Sequence, residues 1–571
     1  MTDTTPHWDH EVDLLVFGAG MGGMSAALVG AHEGLRVLLC EKTGQVGGTT
    51  ATSAGTLWIP GTGLEGAAAE DDIAQAAIYL DAETGNRGDG AMRAAFLQSG
   101  REALEYLQRH TEVKLRPVSP HPDYHPATPG WSMKGRAVAP LPFDGRRLGR
   151  DFALVRPPIE PFMVLGGLMI GRDDIPHFLD PFGSRRSFLH VARILLRHFA
   201  DRLTRGRGAR LLMGNALVAR LLFSLRTKGV PIWLNCRLIE LVGDGSRVDG
   251  AVVELGHERL RVRASRGVML ATGGFATSEA LRKEWFKSLP VRHTMGFWGN
   301  SGDGISAARA IGASAGDGEQ GPAFWFPSSI LHEKGKETIF PHIVLDRAKP
   351  GLIAVNSAGT RFVNEADSYH DFVEAMFRAH ATVPSIPAHL ICDRSFIRDY
   401  GIGLVHPASP DAAIRRFVRA GYLKQGATLA ELAAKIGVPA DRFERTVAEH
   451  NRFAESGVDE AFGKGSNPLN RHNGDPANKP NPCLRPIAQP PFFSVAVYPA
   501  DLGTSTGLRT DIDARVLTAQ DTPIAGLYAC GNDMNSIMAG AYPGPGTTLG
   551  PALVFAYRAV MHMRGGPAMA R

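Results

Sequence analysis

Three glycines near the start of the chain, followed by one acidic residue, have the spacing of a dinucleotide site. Gly18, Gly20 and Gly23 form a G-x-G-x-x-G sequence, and Glu41 lies 18 residues after the third glycine. In such sites the glycines allow a tight turn, the helix N-terminus binds a pyrophosphate and the carboxylate accepts a hydrogen bond from a ribose hydroxyl. These residues therefore indicate the binding of a dinucleotide.

The segments around these glycines supply the elements that such a site needs. Residues 12–17 form a short apolar run that predicts a buried parallel strand. Residues 24–34 predict a helix that ends at Gly34, and residues 36–40 predict a second strand. Together they predict a βαβ unit, so we expect an α/β fold with a Rossmann-like domain.

Further glycine and hydroxyl residues favour FAD over a nicotinamide dinucleotide. A run of small and hydroxyl side chains follows Lys42 and could wrap the pyrophosphate and the flavin edge. Residues 544–550 precede an apolar helix whose N-terminal amides could stabilise the negative charge of a reduced flavin. Two apolar segments, 266–276 and 526–532, contain glycine where a strand would contact a ligand. The predicted FAD-binding residues beyond the first turn are Glu41, Lys42, Gly47, Gly48, Thr49, Thr50, Ser53, Ala54, Gly55, Gly273, Gly274, Gly531, Asn532, Thr548 and Leu549.

These FAD-binding segments lie far apart in the sequence, which implies that a second domain interrupts the first. We predict a Rossmann-like FAD-binding domain formed by residues 1–322 and 497–571, and an α+β catalytic domain formed by residues 323–496. Residues 464–491 are rich in Pro and Asn, and this composition predicts a long irregular loop that returns the chain to the first domain.

The composition is that of a soluble globular protein with a large core. The chain has 571 residues, of which 44% are hydrophobic and 21% are charged, and its net charge is +5. This charge is too small to imply a nucleic-acid partner. The five cysteines are scattered and lack the spacing of a metal site, so we expect no metal and a reducing compartment. No signal peptide and no run of about 18 apolar residues is seen, so we expect a cytoplasmic protein.

The basic residues are concentrated in one window, residues 185–228. It contains eleven Arg and Lys residues against the single acid Asp201, a balance of 11 − 1 = +10. Within it, residues 188–203 predict an amphipathic helix with apolar residues at helical spacing. Such a helix could contact the headgroups of an anionic membrane, or it could be a solvated face over the core. Membrane contact at the inner face would suit a lipophilic substrate or a quinone acceptor.

Five segments of the chain form a distinctive set: VDLLVFGAGMGGMSAAL, EKTGQVGGTTATSAGTLWIP, DYHPATPGWSMKGRAVAPLPFDGRRLG, RFVNEADSYHDFVEAM and GLYACGNDMNSIMAGAYPGPGTTLGPAL. The last of them, which contains AYPGPGTTLGPAL, is the most specific. Through these segments the chain resembles the 3-ketosteroid Δ1-dehydrogenase family, within the wider succinate dehydrogenase and fumarate reductase flavoprotein superfamily.

The resemblance implies a catalytic group of three tyrosines and one glycine. Tyr369 matches the family's base, and Tyr124 matches the tyrosine that assists it. Tyr542 and the backbone amide of Gly546 match the pair that binds the carbonyl oxygen. The implied reaction removes a proton next to a ring ketone and transfers the neighbouring hydrogen as hydride to FAD. The implied partners are a small lipophilic ketone and an external electron acceptor.

The position of Tyr369 favours oxidation of a ketone over reduction of fumarate. In the superfamily an Asn-Glu pair is followed, after three residues, by a proton-donating arginine, whereas here Asn364-Glu365 is followed by Tyr369. A phenol is able to accept a proton but does not pair with a dicarboxylate as arginine does. Three alternatives to a steroid dehydrogenase stay open: a dehydrogenase of a smaller cyclohexanone-type ketone, an enone reductase, and a redox carrier without steroid chemistry.

Two histidines directly follow proposed catalytic tyrosines in the sequence, and the sequence leaves their role open. His125 follows Tyr124, and His370 follows Tyr369. Either histidine could relay a proton, since imidazole titrates near neutral pH. We favour a structural or solvent-facing role for both.

Overall fold

The structure is a computed structural model that describes residues 7–64, 73–171, 173–319, 321–343 and 346–565. Its strands are β1 (His10–Phe17), β2 (Val37–Glu41), β3 (Leu57–Trp58), β4 (Leu115–Pro117), β5 (Ala137–Pro140), β6 (Phe143–Asp144), β7 (Met163–Val164), β8 (Leu168–Met169), β9 (Arg210–Leu211), β10 (Ile232–Leu234), β11 (Cys236–Gly243), β12 (Val248–Leu255), β13 (Glu258–Leu270), β14 (His293–Thr294), β15 (Ala323–Glu333), β16 (Lys336–Pro341), β17 (Leu352–Val355), β18 (Ala388–Asp393), β19 (Leu423–Gly426), β20 (Phe492–Thr504), β21 (Arg515–Leu517) and β22 (Pro523–Ala529). Its α-helices are α1 (Met21–His32), α2 (Gly48–Thr52), α3 (Ile73–Thr84), α4 (Gly90–His110), α5 (Ile175–Leu179), α6 (Arg185–Arg205), α7 (Met213–Lys228), α8 (Glu279–Phe286), α9 (Asp303–Ala310), α10 (Tyr369–His380), α11 (Arg394–Asp399), α12 (Asp411–Arg419), α13 (Leu429–Ile436), α14 (Ala440–Ser456), α15 (Pro468–Asn473) and α16 (Leu549–Arg564).

The first large sheet contains the predicted βαβ unit. Its strand order is β10-β2-β1-β13-β12-β11, and β22 and β21 complete eight strands by pairing with β13 and with each other. Strands β10, β2, β1, β13 and β22 are parallel to their neighbours in that group, so their carboxyl ends meet at one edge. Helix α1 packs against α16 and α7. The predicted α/β fold is therefore observed, with the turn of Gly18 and Gly20 at the ligand-binding edge.

The second large sheet is built around the long strand β20. Strands β16, β15, β20, β18 and β17 lie in that order, and β14 and β19 also pair with β20. Helix α10, which begins at Tyr369, packs against β15. The division into domains at residues 322 and 497 stays a prediction. Strand β20 runs across residue 497, and β14, which precedes residue 323, pairs with β20.

One predicted loop contains a helix, so that prediction was wrong in part. Helix α15 (Pro468–Asn473) lies within residues 464–491. The Asn467 side chain accepts a hydrogen bond from the Asn470 amide, and Pro468 occupies the first turn. Both residues favour a helix N-terminus, even within a segment of loop-like composition.

The predicted amphipathic helix is present as α6, but its buried face differs from the predicted apolar face. The buried residues of α6 are Val191, Ile194, His198 and Asp201. The apolar spacing predicted a face of Phe188, Val191, Leu195, Phe199 and Leu203. Val191 of this face is buried, whereas Phe188, Phe199 and Leu203 are exposed. Within the described ranges, no helix is both long and apolar enough to cross a membrane.

Candidate active site

A single cavity begins at the carboxyl ends of the parallel strands and extends to the three tyrosines. Tyr124, Tyr369, Tyr542 and Gly546 all line it. Of the predicted FAD-binding residues, those that line it are Gly18, Gly20, Glu41, Lys42, Gly48, Thr49, Thr50, Ser53, Ala54, Gly55, Gly273, Gly531, Asn532, Thr548 and Leu549. The structure therefore brings together residues that lie more than 500 positions apart in the chain.

Gly23, Gly47 and Gly274 do not line the cavity, and each has a packing role instead. A Cβ atom on Gly23 would lie 1.8 Å from the Gly18 carbonyl oxygen. A Cβ atom on Gly47 would lie 2.7 Å from the Ala51 side chain, and one on Gly274 would lie 2.1 Å from Thr504 Oγ1. Because these glycines have no side chain, the neighbouring segments pack closely against them. They shape the cavity in this way without lining it.

The glycine-rich turn leaves the N-terminus of α1 open toward the cavity. Gly18 has φ +98°, and a Cβ atom there would lie 2.1 Å from the Ala271 carbonyl oxygen. Gly20 caps α1 without a side-chain hydrogen bond, and the nearest atom to a Cβ atom there would be Thr50 Oγ1 at 3.6 Å. A helix N-terminus that faces a cavity in this way fits the pyrophosphate of FAD.

Glu41 also accepts hydrogen bonds from within the protein, which its spacing did not predict. Its buried carboxylate accepts hydrogen bonds from the Ala19 amide at 3.0 Å and from Thr43 Oγ1 at 2.9 Å. The carboxylate therefore holds the glycine-rich turn against the end of β2, and it still lines the cavity. The neighbouring Lys42 pairs with Asp303, with Nζ 2.7 Å from Oδ2.

Asp533 is a site residue that sequence reasoning missed. It is fully buried, and its carboxylate accepts hydrogen bonds from the Thr272 hydroxyl at 2.8 Å and from the Gly274 amide at 2.8 Å. These contacts join the segment after β13 to the segment after β22, where Gly273 and Asn532 line the cavity. The signal in the sequence was an acid directly after Gly531-Asn532, in a segment already assigned to the site.

The three tyrosines form a compact cluster at the other end of the cavity. The Tyr124 hydroxyl donates a hydrogen bond to the Tyr369 hydroxyl at 3.3 Å. The ring centroid of Tyr369 lies 5.5 Å from that of Tyr124 and 5.3 Å from that of Tyr542. All three side chains are buried, so their hydroxyls face one another and the cavity in a setting with little water.

Tyr369 is the first residue of helix α10. Ser368 caps this helix, because its Oγ accepts a hydrogen bond from the Asp371 amide at 3.1 Å. The N-terminus of a helix carries a partial positive charge, which favours an anion in the first turn. The position of Tyr369 therefore favours its phenolate form.

Burial opposes this effect and keeps the tyrosines protonated at rest. Burial and the neighbouring hydroxyls of Tyr124 and Tyr542 raise the pKa of Tyr369 well above its usual value. Burial likewise raises the pKa of Tyr124 and of Tyr542. All three are therefore neutral phenols near pH 7, able to donate hydrogen bonds to an oxygen atom in the cavity.

Gly546 occupies a backbone conformation that only glycine adopts easily. Its φ is +95°, and a Cβ atom there would lie 2.5 Å from the Thr56 carbonyl oxygen. Its carbonyl oxygen accepts a hydrogen bond from the Trp58 amide at 3.1 Å. The glycine thus holds the segment before α16 close to β3, with Gly546 at the cavity wall.

Comparisons with known proteins show what the whole chain is similar to. Residues 13–549 match the family described as the FAD binding domain. A 4-oxocyclohex-2-ene-1-carboxylate 5-dehydrogenase of Sinomonas cyclohexanicum is 39% identical, over 96% of this chain and 92% of that protein. A 3-oxosteroid 1-dehydrogenase of Mycobacterium tuberculosis is 36% identical, over 97% of this chain and 98% of that protein.

A solved structure is similar over nearly the whole chain. The 3-ketosteroid Δ1-dehydrogenase of Sterolibacterium denitrificans, in complex with 1,4-androstadiene-3,17-dione, has a TM-score of 0.89 and is 35% identical. The match covers 97% of this chain and 100% of that one. The fold and the cavity are thus those of an FAD-dependent oxidoreductase. The chain belongs to the 3-ketosteroid Δ1-dehydrogenase family of flavoproteins, and its cofactor is FAD.

Proposed function

We propose that the protein is an FAD-dependent dehydrogenase that introduces a double bond next to a ring ketone, and that the ketone is a 3-ketosteroid. The observation that carries this proposal is the convergence of Tyr124, Tyr369 and Tyr542 at one end of a cavity whose other end fits FAD. When bound, FAD supplies the hydride acceptor. The chain's own residues have to hold the ketone and remove the proton.

In the proposed mechanism, Tyr542 and Gly546 bind the carbonyl oxygen. The Tyr542 hydroxyl and the Gly546 amide donate hydrogen bonds to this oxygen, which gains negative charge as the adjacent carbon loses its proton. Tyr369, in its deprotonated form, accepts that proton at its phenolate oxygen and becomes a neutral phenol, and Tyr124 assists by donating a hydrogen bond to that oxygen. The buried setting strengthens each of these interactions, because water does not compete for the same groups.

The apolar residues in the lining of the cavity favour a large apolar ketone. The apolar side chains that line the cavity beyond the predicted FAD contacts include Phe162, Met295, Phe297, Phe326, Ile343 and Leu502. Among the described lining residues, Lys42 is the one Lys or Arg, and it already pairs with Asp303. Among the described lining residues, a substrate carboxylate would therefore find no Lys or Arg that is not already paired.

A second candidate substrate is a small cyclohexanone that carries a carboxylate. The observation that favours it is the 39% identity to the Sinomonas cyclohexanicum dehydrogenase, whose name gives such a substrate. The site chemistry is the same for both candidates, since each requires proton removal next to a ring ketone. They differ in the surface that binds the rest of the molecule.

Anaerobic mixing of the purified holoenzyme with each ketone separates the candidates. We expect 4-androstene-3,17-dione to bleach the flavin absorbance and to form a dienone, and 4-oxocyclohex-2-ene-1-carboxylate to bleach it at least 100-fold more slowly. Faster bleaching by the carboxylate would replace the first candidate with the second. Bleaching by neither compound, with reoxidation of prereduced enzyme by an enone, would identify a reductase.

We further propose that the protein is cytoplasmic and contacts the inner face of an anionic membrane through α5, α6 and the β7–β8 turn. Nine of the thirteen large hydrophobic residues that are exposed within the described ranges fall between residues 165 and 203. We call these nine the apolar patch: Leu165, Ile175, Leu179, Phe182, Phe188, Leu189, Leu196, Phe199 and Leu203. Exposed arginines on helix α6 include Arg185, Arg186 and Arg193. Exposed apolar side chains beside arginines fit lipid tails beside anionic headgroups.

The apolar patch begins close in sequence to a residue that lines the cavity. Arg202 Nη1 donates a hydrogen bond to the Leu165 carbonyl oxygen at 3.1 Å. Phe162, three residues before Leu165, lines the cavity. A membrane at the patch would bring both a lipophilic substrate and a quinone acceptor close to the cavity.

Sedimentation with vesicles tests this contact. We expect binding to phosphatidylglycerol vesicles and little binding to phosphatidylcholine vesicles, and we expect L196E/L203E to abolish it. The control is V458E, since Val458 is 58% exposed and lies outside the apolar patch. Equal binding by L196E/L203E and V458E would contradict the assignment.

A further inference from the structure

His125 lies between two carboxylates from different helices. Its Nε2 is 2.8 Å from Asp371 Oδ2 on α10, and its Nδ1 contacts Glu83 Oε2 on α3. Glu83 also accepts a hydrogen bond from the Thr128 hydroxyl at 2.6 Å, and Asp371 accepts one from the Ser368 hydroxyl at 2.7 Å. Each carboxylate is thus fixed by a second donor, so the imidazole has a defined place between them.

This arrangement connects the segments that carry the three tyrosines. His125 directly follows Tyr124, and its partner Asp371 lies two residues after Tyr369, in the first turn of α10. The Tyr124 amide donates a hydrogen bond at 2.8 Å to the carbonyl oxygen of Pro543, the residue after Tyr542.

Tyr79 on helix α3 also contacts the group of His125, Asp371 and Glu83, which we call the His125 junction. Its hydroxyl donates a hydrogen bond to the Pro543 carbonyl oxygen at 2.6 Å and accepts one from the His125 amide at 3.3 Å. Helix α3 therefore reaches the junction through both Tyr79 and Glu83. Four chain segments meet around His125: its own segment, α3, the start of α10 and the segment of Tyr542 and Pro543. All of these except α3 carry a tyrosine that lines the cavity.

The charges in this junction favour the imidazolium form of His125. Burial lowers its pKa, but the hydrogen bonds and charges of Asp371 and Glu83 outweigh burial and raise the pKa to about 10. Conversely, the hydrogen bond and charge of His125 outweigh burial of Asp371 and lower the pKa of that carboxyl. Near pH 7 the junction is a cation between two anions, which resists displacement in a buried setting.

We propose that His125 is a positioning residue that fixes the Tyr124 hydroxyl against the Tyr369 hydroxyl by tying their segments together through Asp371 and Glu83. This inference rests on the proposed function, since it assigns Tyr369 as the base. His125 is not among the residues that line the cavity, whereas both tyrosines are. It acts through the tyrosines, and a displacement of about 1 Å between reacting groups costs on the order of 100-fold in rate.

The test compares H125Q with a matched variant, H190Q. Both histidines are paired with an aspartate, His190 with Asp174 at 2.9 Å, but His190 does not line the cavity or contact its tyrosines. For H125Q we expect an unchanged flavin spectrum, a product Kd within 3-fold of the parent protein, and flavin reduction 10- to 100-fold slower. For H190Q we expect the parent rate. The milder variant D371N should lose a similar factor, and H125Q/D371N should lose little more than H125Q alone.

Two outcomes overturn the proposal. One is flavin reduction by H125Q at the parent rate, and the other is a double variant whose losses multiply. A readout without substrate separates this failure from failure of the proposed function. H125Q should lower the urea midpoint more at pH 7 than at pH 10.5, because the parent loses its imidazolium as pH rises through about 10. An equal drop at both pH values would also overturn the proposal.

Discussion

Replacing Tyr369 with Phe is the most direct perturbation of the proposed chemistry. The change removes one hydroxyl group and keeps the ring, which is packed between Tyr124 and Tyr542 at centroid distances of 5.5 and 5.3 Å. FAD binding should survive, since the glycine-rich turn and the helix α1 lie at the other end of the cavity. The hydrogen bonds of the Tyr369 hydroxyl with Tyr124 and Tyr542 are lost, at a cost to folding of about 1 kcal/mol each.

The chemical step should fall far more than the stability. A positioned general base contributes about 10²- to 10⁴-fold in rate. At about 1.4 kcal/mol for each factor of ten, the transition state of Y369F lies about 2.7–5.4 kcal/mol higher. The assay is anaerobic stopped-flow measurement of flavin bleaching by 4-androstene-3,17-dione, because it isolates this step from reoxidation.

A matched control for Y369F is Y528F. Tyr528 is also buried, and its hydroxyl lies 2.9 Å from His562 Nδ1, but it is not part of the cavity lining. We expect Y528F to reduce flavin at the parent rate. If Y369F kept more than a tenth of the parent rate with flavin fully bound, Tyr369 would not be the base, and the reasoning from the tyrosine cluster would be refuted.

Three further predictions concern the same cluster. Y542F should slow flavin reduction by about 10²- to 10³-fold, the usual loss for one donor to a developing oxyanion, as measured in the same stopped-flow assay. G546A should destabilise the fold and lower FAD occupancy, because φ is +95° and the new Cβ atom would lie 2.5 Å from the Thr56 carbonyl oxygen; thermal unfolding and the flavin-to-protein absorbance ratio check this. The flavin-reduction rate should rise with pH between 6 and 9. Burial and the neighbouring phenols raise the pKa of Tyr369, and the proton acceptor is its deprotonated form, which becomes more abundant as pH rises. A rate that falls over this range would contradict the assignment.

The nucleotide end of the site could be predicted well from the sequence, because its signals are local. The turn at Gly18 and Gly20, the acid Glu41 and the flanking strands lie within one βαβ unit, where spacing determines position. Asp533 was missed because its partners, Thr272 and Gly274, are about 260 residues away. No local pattern records such a contact.

The face of α6 shows a second limit of sequence reasoning. The apolar spacing of Phe188, Phe199 and Leu203 is equally compatible with a face against the core and with a face against another medium. Of the predicted apolar face the structure buries Val191, together with Ile194 from outside that face, and it leaves Leu203 90% exposed. Hydrophobic periodicity therefore located the helix correctly but did not determine which side the protein covers.

The start of α10 gives a physical reason for the residue type at position 369. In the superfamily pattern that the sequence resembles, this position after the Asn-Glu pair carries an arginine, whereas here it carries Tyr369 as the first residue of a capped helix. The partial positive charge of a helix N-terminus disfavours a cation and favours an anion in the first turn. A phenol at this position gains from the helix when it loses its proton. In our proposal, the ionic contact of His125 with Asp371 holds the start of α10, and therefore keeps Tyr369 close to Tyr124.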